Sequence, residues 1–240
     1  MTEELTREPP TQHGGEPPTQ HGGEPPTQHG GEPPTQRSRA KADRRRQLLA
    51  AAAELIAERG FASVRLEDIG AAVGISGPAV YRHFPNKDAL LAELLVGISH
   101  HLLDGGTAVL ERTKDPRRAL EELVDFHLDF AFGEPDLIRV QDRELTTLAE
   151  QHRHEVRQTQ RRYVEIWVGV LRDLDPTLSE SEARIKAHAT FGLINSTPHS
   201  ADPAAPESSR AVLHRMALAA LTDVSSPTHG AAPTRTRGRG

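Results

Sequence analysis

The segment LEDIGAAVGISGPAVYRHFPNK, residues 66–87, constrains this chain most strongly. Leu66, Ile69 and Val73 recur at helical spacing and turn one face of a short helix, about 66–73, inward. Glu67 and Asp68 stand in its first turn, where the helix dipole favours anions. Gly74 stops it, and Ile75 is expected to be buried in the turn. Ser76 suits the N-cap of a second short helix, about 77–83. Pro78 falls in that helix's first turn, where a missing N–H costs nothing. Two helices joined by a short turn containing glycine make a helix-turn-helix, whose second helix enters the major groove of DNA. On that geometry Val80 and Phe84 face the core, while Gly77, Pro78, Ala79, Tyr81, Arg82 and His83 face or flank the nucleic acid. Asn86 caps a further helix, about 87–104. Lys87 sits at its N-terminus beside exposed N–H groups, a ready phosphate site. Two plainer readings stay open: Tyr81 as a core tyrosine with a surface hydroxyl, and His83 as a solvated cap.

Charge is distributed to match. The net charge of −5 hides a basic segment: residues 37–90 hold ten Lys and Arg against six Asp and Glu. The first 36 residues hold one Arg against six Glu, and the last 150 are acidic again. A local basic patch is an electrostatic footprint for nucleic acid even on an acidic protein. Arg37, Arg39, Lys41, Arg44, Arg45 and Arg46 open the first helix, about 40–59, and read either as an arm along the DNA backbone or minor groove or as a basic leader. Leu48, Leu49, Ala52, Leu55 and Ile56 give that helix its apolar face, and Gly60 ends it.

The rest of the chain is also helical in pattern, and β-branched alternation barely occurs, so the fold class is all-α with about nine helices. Asp115-Pro116, Glu134-Pro135 and Asp175-Pro176 look like helix starts. Ser179 or Ser181 caps a helix near 181–197, and the other long helices fall near 116–132, 144–174 and 206–222. Residues 1–36 repeat EPPTQHGG and cannot bury enough apolar surface to offset ordering. They read as a disordered polar tether, preferred over weak metal capture by His13, His21 and His29. The expected organisation is tail 1–36, DNA-binding domain 37–90, effector and dimerisation domain 91–223, and basic tail 224–240. Cysteine is absent, which removes thiolate sites and disulfides. No apolar run is long enough for a membrane span, and the expected compartment is the cytoplasm.

Residues 44–95 closely resemble the DNA-binding module of the TetR family of bacterial transcriptional repressors. The resemblance runs through an apolar helix ending in AERGF, then EDIGAAVGIS, then YRHFPNK. It implies a homodimer, a three-helix DNA-binding unit and a larger helical domain that binds a small effector. It places Tyr81, His83 and Lys87 at phosphate contacts, and Ser76, Gly77, Pro78 and Ala79 at base and backbone contacts. The chain departs from the family pattern twice. Arg65 stands where many members have a capping Thr; it reaches phosphate but cannot cap. Gly77-Pro78 replaces a basic start of the recognition helix, so readout leans on Arg82, apolar thymine contact and DNA shape.

In the C-terminal part, polar residues inside apolar patterns are the candidates for effector binding: His127, Arg139, Arg143, Trp167 and Asn195. Each is equally open to pairing within the protein. The run FGLINSTPHS resembles actinobacterial members tied to fatty-acid or acyl-CoA metabolism, which implies an acyl-CoA effector with Arg139 or Arg143 as anion partner. Ile185, Ala189, Gly192, Leu193 and Ser196, with Val212, Leu213, Met216, Ala217, Ala220 and Leu221, give two faces that the family would use for dimerisation. His152 and His154 point about 200° apart on a helix and cannot share an ion. No cofactor, metal site or enzymatic motif is expected. The expected function is a ligand-released repressor bound to a palindromic operator in double-stranded DNA. The alternatives are a regulator of the same fold that activates or senses a drug-like molecule and, more distantly, a helical-bundle enzyme or metal protein.

Overall fold

The structure is a computed structural model that describes residues 36–223. The repeat tail, up to residue 35, and the basic tail from 224 lie outside the described residues. The described residues form ten α-helices and no strand: α1 (Gln36–Arg59), α2 (Leu66–Ala72), α3 (Gly77–Val80), α4 (Lys87–Arg112), α5 (Pro116–Gly133), α6 (Pro135–Glu144), α7 (Glu150–Leu174), α8 (Glu180–Ile194), α9 (Thr197–Ser200) and α10 (Pro206–Thr222). The all-α fold is the one the apolar spacing implies.

Local chemistry sets most boundaries. Asn86 accepts the Ala89 N–H at 2.7 Å and Asp115 accepts that of Arg118 at 2.8 Å. Ser179 and Glu182 close a reciprocal capping box at the start of α8. Three expectations need correction. Asp175-Pro176 opens a turn and not a helix, since α8 begins only at Glu180. The helix expected over 144–174 is broken at residues 145–149, where one 3₁₀ turn separates α6 from α7. The helix expected near 181–197 stops at Ile194, and Thr197-Pro198 opens the single turn of α9.

Two groups of helices share one continuous core. Leu48 and Ile56 of α1, Ile69 of α2, Val80 of α3, Phe84, and Leu90 and Leu95 of α4 are fully buried around the N-terminal unit. Burying each large apolar side chain contributes on the order of 1.5–3 kcal/mol. α4 then runs on to pack against α7 and α5, and α10 packs against α8 and α5. The expected boundary at residue 90 therefore falls inside α4, which belongs to both units.

Candidate nucleic-acid interface and effector region

Close packing and a left-handed turn fix the angle between α2 and α3. A Cβ on Gly70 would lie 2.5 Å from Val80 Cγ2, so only glycine lets the helices approach this far. Gly74 adopts φ +71°, and its neighbour's N–H, on Ile75, returns to the Gly70 carbonyl at 2.9 Å. Ile75 is half-buried. The Ser76 hydroxyl makes no cap, contrary to expectation. Pro78 removes one of the N–H groups it would accept, and the Ala79 N–H goes to the Ser76 carbonyl at 2.9 Å. Arg65, which has no acceptor, leaves the start of α2 to Asp68, whose carboxylate accepts the Arg65 N–H at 2.9 Å.

Arg45, which sequence reasoning left among the basic leader, staples the unit. Its guanidinium pairs with both Glu93 carboxylate oxygens on α4, donates to the His83 carbonyl and lies 4.3 Å over the Phe84 ring. Arg44 donates to the Val73 carbonyl at 3.2 Å, at the end of α2. The leader is helical from Gln36 rather than an extended arm, because its residues continue α1 without a break. Arg37, Arg39 and Lys41 stand exposed along it.

The recognition face keeps its polar groups outward. Tyr81 is 50% exposed, which settles the core alternative, and its hydroxyl donates to Glu67 at 3.0 Å. That hydrogen bond and the Glu67 charge raise the phenol above its ordinary value. Arg65, Ser76, Pro78, Tyr81 and Arg82 are exposed, and Gly77, Ala79, His83 and Lys87 half-buried. His83 is no solvated cap, because its Nδ1 is buried without a partner. Burial, reinforced by the positive charges of Arg45, Lys41, Arg82 and Arg44, lowers its pKa. Lys87 donates to the carbonyls of Phe61 and Ala62 at 2.6 and 3.3 Å and lies 4.3 Å over the Phe61 ring. Its ammonium thus sits at the turn between α1 and α2 with bonding capacity left over, since it carries three donors.

The effector candidates fall into two places. His127, Trp167 and Asn195 come together between α5, α7 and the end of α8, joined by Tyr163 and Phe191. Asn195 Oδ1 can only accept, so His127 Nε2–H donates to it at 3.1 Å, and Nδ1 accepts from the Tyr163 hydroxyl at 3.2 Å. Burial pushes His127 down to about 4 and raises Tyr163. Thr190 Oγ1 is buried without a partner, whereas the Trp167 indole N–H lies toward the Tyr163 hydroxyl and opposes the effect of burial on it. Sequence reasoning missed Tyr163, although it lies one turn before Trp167. Arg139 and Arg143 do not join this cluster. Arg139 pairs with Asp136 at 2.7 Å and donates to the Pro198 carbonyl at 2.8 Å. Arg143 donates to the carbonyls of Ala57 and Ile56 at 2.9 and 3.2 Å, and its neighbour Glu144 accepts the Phe61 N–H at 3.1 Å. Free main-chain carbonyls at a helix end attract a guanidinium as well as any ligand would. A separate cavity of about 320 Å³ lies where α1, α4, α5 and α6 meet, lined by Leu49, Leu94, Ile98, His101, Phe130 and Leu137 among others.

Among the described residues no group of three or more His, Cys, Asp or Glu could hold a metal, and no helix is long and apolar enough to cross a membrane. Fold and site together define a helix-turn-helix DNA-binding unit joined to a helical partner domain. Residues 48–94 match the family "Bacterial regulatory proteins, tetR family", and residues 113–224 match "Tetracyclin repressor-like, C-terminal domain". The chain belongs to the TetR family and is a DNA-binding transcriptional regulator. It is 30% identical over 132 residues to the HTH-type transcriptional repressor KstR2 of Rhodococcus jostii, covering 55% of this chain and 65% of that protein. It is 34% identical over 88 residues to the HTH-type transcriptional activator FasR of Mycolicibacterium smegmatis, covering 37% and 40%. Both matches span less than two thirds of the relative's length. The crystal structure of AibR in complex with isovaleryl coenzyme A and operator DNA superposes with a TM-score of 0.59 at 18% identity, covering 72% of this chain and 97% of that one.

Proposed function

We propose that this chain is a cytoplasmic homodimeric repressor that holds an inverted-repeat operator and is released by a small-molecule effector. The observation that carries the reading is the face formed by α3 and the start of α1, where Tyr81 and Arg82 stand outward and a single basic field surrounds His83. Each subunit of a dimer offers one such face, and two faces one helical turn of DNA apart, about 34–36 Å, read two half-sites. Exposed Ile185, Val212 and Met216 on α8 and α10 support those helices as the subunit contact. Leu213, Ala217 and Leu221, read from sequence as part of that contact, instead turn inward.

The effector is proposed to enter between α5, α7 and α8. Its buried part would be uncharged, because His127 is held neutral there and Arg139 and Arg143 are committed to main-chain carbonyls. The unpaired Thr190 hydroxyl offers a hydrogen bond to a carbonyl or hydroxyl. An acyl thioester fits that description, with its phosphates left at the mouth, and AibR, solved with an acyl-CoA, supports that class. Full release requires the effector to favour the released state by about 10⁴-fold. The test adds acyl-CoA thioesters of several chain lengths to a preformed complex of the protein with its own upstream DNA in a gel shift. Release by one length class is expected; retention with every thioester removes this effector class and leaves the DNA-binding reading in place.

A further inference from the structure

The sharpest charge contrast in the chain falls at the start of α1. Before it, residues 1–35 carry six glutamates against Arg7 alone. Four of these, Glu8, Glu16, Glu24 and Glu32, recur once per eight-residue repeat with no Lys or Arg in any repeat. After it, Arg37, Arg39 and Lys41 are exposed and form no ion pair among the described residues. Asp43 on the same helix is paired with Arg46, and Glu93 with Arg45. The same positive field reaches the recognition helix, since Lys41, Arg44, Arg45 and Arg82 all act on the His83 ring. An acidic segment is therefore tied by a peptide bond to the edge of the surface that DNA phosphates are proposed to occupy.

Tethering makes such an encounter intramolecular, with an effective concentration in the millimolar range for short flexible linkers. Attraction between the two charge sets acts over about 10 Å at 0.1 M salt. One carboxylate per repeat keeps the charge density far below that of duplex DNA, which carries a charge about every 1.7 Å of its axis, so DNA displaces the segment rather than being shut out.

We infer that the acidic segment 1–35 is a built-in competitor for DNA, docking by charge on the basic face made by the start of α1 and by α3. It weakens binding to every DNA sequence by a common factor, expected to be roughly 3–10-fold at about 50 mM salt and to fade as salt screens it. The inference rests on the DNA-binding reading above.

Two measurements on the full chain test it. In the first, Glu3, Glu4, Glu8, Glu16, Glu24 and Glu32 are all changed to Gln, and affinity for a random-sequence duplex is titrated at several salt concentrations. The Gln variant is expected to bind several-fold more tightly at low salt and equally at 0.5 M; equal or weaker binding at low salt overturns the inference. In the second, Thr19→Cys carries a spin label, which is free of side reactions because the chain has no cysteine. Without DNA, the label is expected to broaden the backbone NMR signals of residues 37–44 and 79–83, with loss of that broadening in the Gln variant. Broadening elsewhere or none overturns docking on this face. If neither chain binds any duplex yet the broadening follows the charges, the regulator reading falls and the intramolecular contact stands.

Discussion

Arg82 and Lys87 both carry positive charge on the side proposed to face DNA, but they are tied into the structure differently. Arg82 is exposed, and its guanidinium makes no hydrogen bond or ion pair among the described residues. Arg82→Ala is expected to weaken operator binding by about 1–3 kcal/mol and to narrow the gap between operator and random-sequence DNA. Its unfolding free energy should stay within about 0.5 kcal/mol of the parent. Lys87→Ala is expected to weaken DNA binding and also to lower stability by about 1 kcal/mol, because it frees the Phe61 and Ala62 carbonyls. Denaturant titrations of the two variants separate the roles, and equal stability for both would show that the Lys87 bonds contribute nothing. His127 gives a pH signature. Its folded pKa, about 4, lies below the ordinary 6.5, so the unfolded chain takes up a proton that the folded chain refuses. That contribution is complete above about pH 6.5 and is lost as pH falls toward 4, by up to about 3 kcal/mol. His127→Gln should flatten the unfolding free energy across that window; an unchanged slope would place the acid sensitivity elsewhere.

At the scale of elements, α6 grips the DNA-binding unit. Arg143 and Glu144 hold the end of α1 and the turn after it, and Lys87 holds the same turn from α4. Arg143→Ala is expected to cost about 1–2 kcal/mol in chemical denaturation and to leave the DNA complex less responsive to effector. Retained stability with normal release would remove α6 from the coupling. This grip also shows where sequence reading ran out. Caps such as Asn86, Asp115 and Ser179 were legible because their partners lie three residues away. The partners of Arg143 lie 86 and 87 residues away, so nothing in its neighbourhood separated a helix-end contact from a ligand contact. The Ser76 cap failed for a local reason, the proline at position 78, which the sequence displayed but whose cost to the cap was overlooked. The buried polar cluster between α5, α7 and α8 was half legible: His127, Trp167 and Asn195 stood out as polar groups in apolar patterns. Tyr163 did not, since a lone tyrosine on an amphipathic helix looks like ordinary core.

Over the whole molecule the account requires two copies. One recognition helix of four residues offers few base contacts, and affinity must come from a paired face. Ile185 is 65%, Val212 41% and Met216 50% exposed on the neighbouring helices α8 and α10. Ile185→Glu with Met216→Glu is expected to halve the mass seen by light scattering and to abolish tight operator binding while leaving the helical content unchanged. A dimer that survives both changes would move the subunit contact to another face. The most direct test of the central claim is a hydroxyl-radical footprint of the full chain on its own upstream DNA, repeated with Arg82→Ala. Two protected patches about ten base pairs apart on an inverted repeat, lost in the variant, are expected. Protection without symmetry, or a footprint that Arg82→Ala leaves intact, would contradict a dimer that reads DNA through α3.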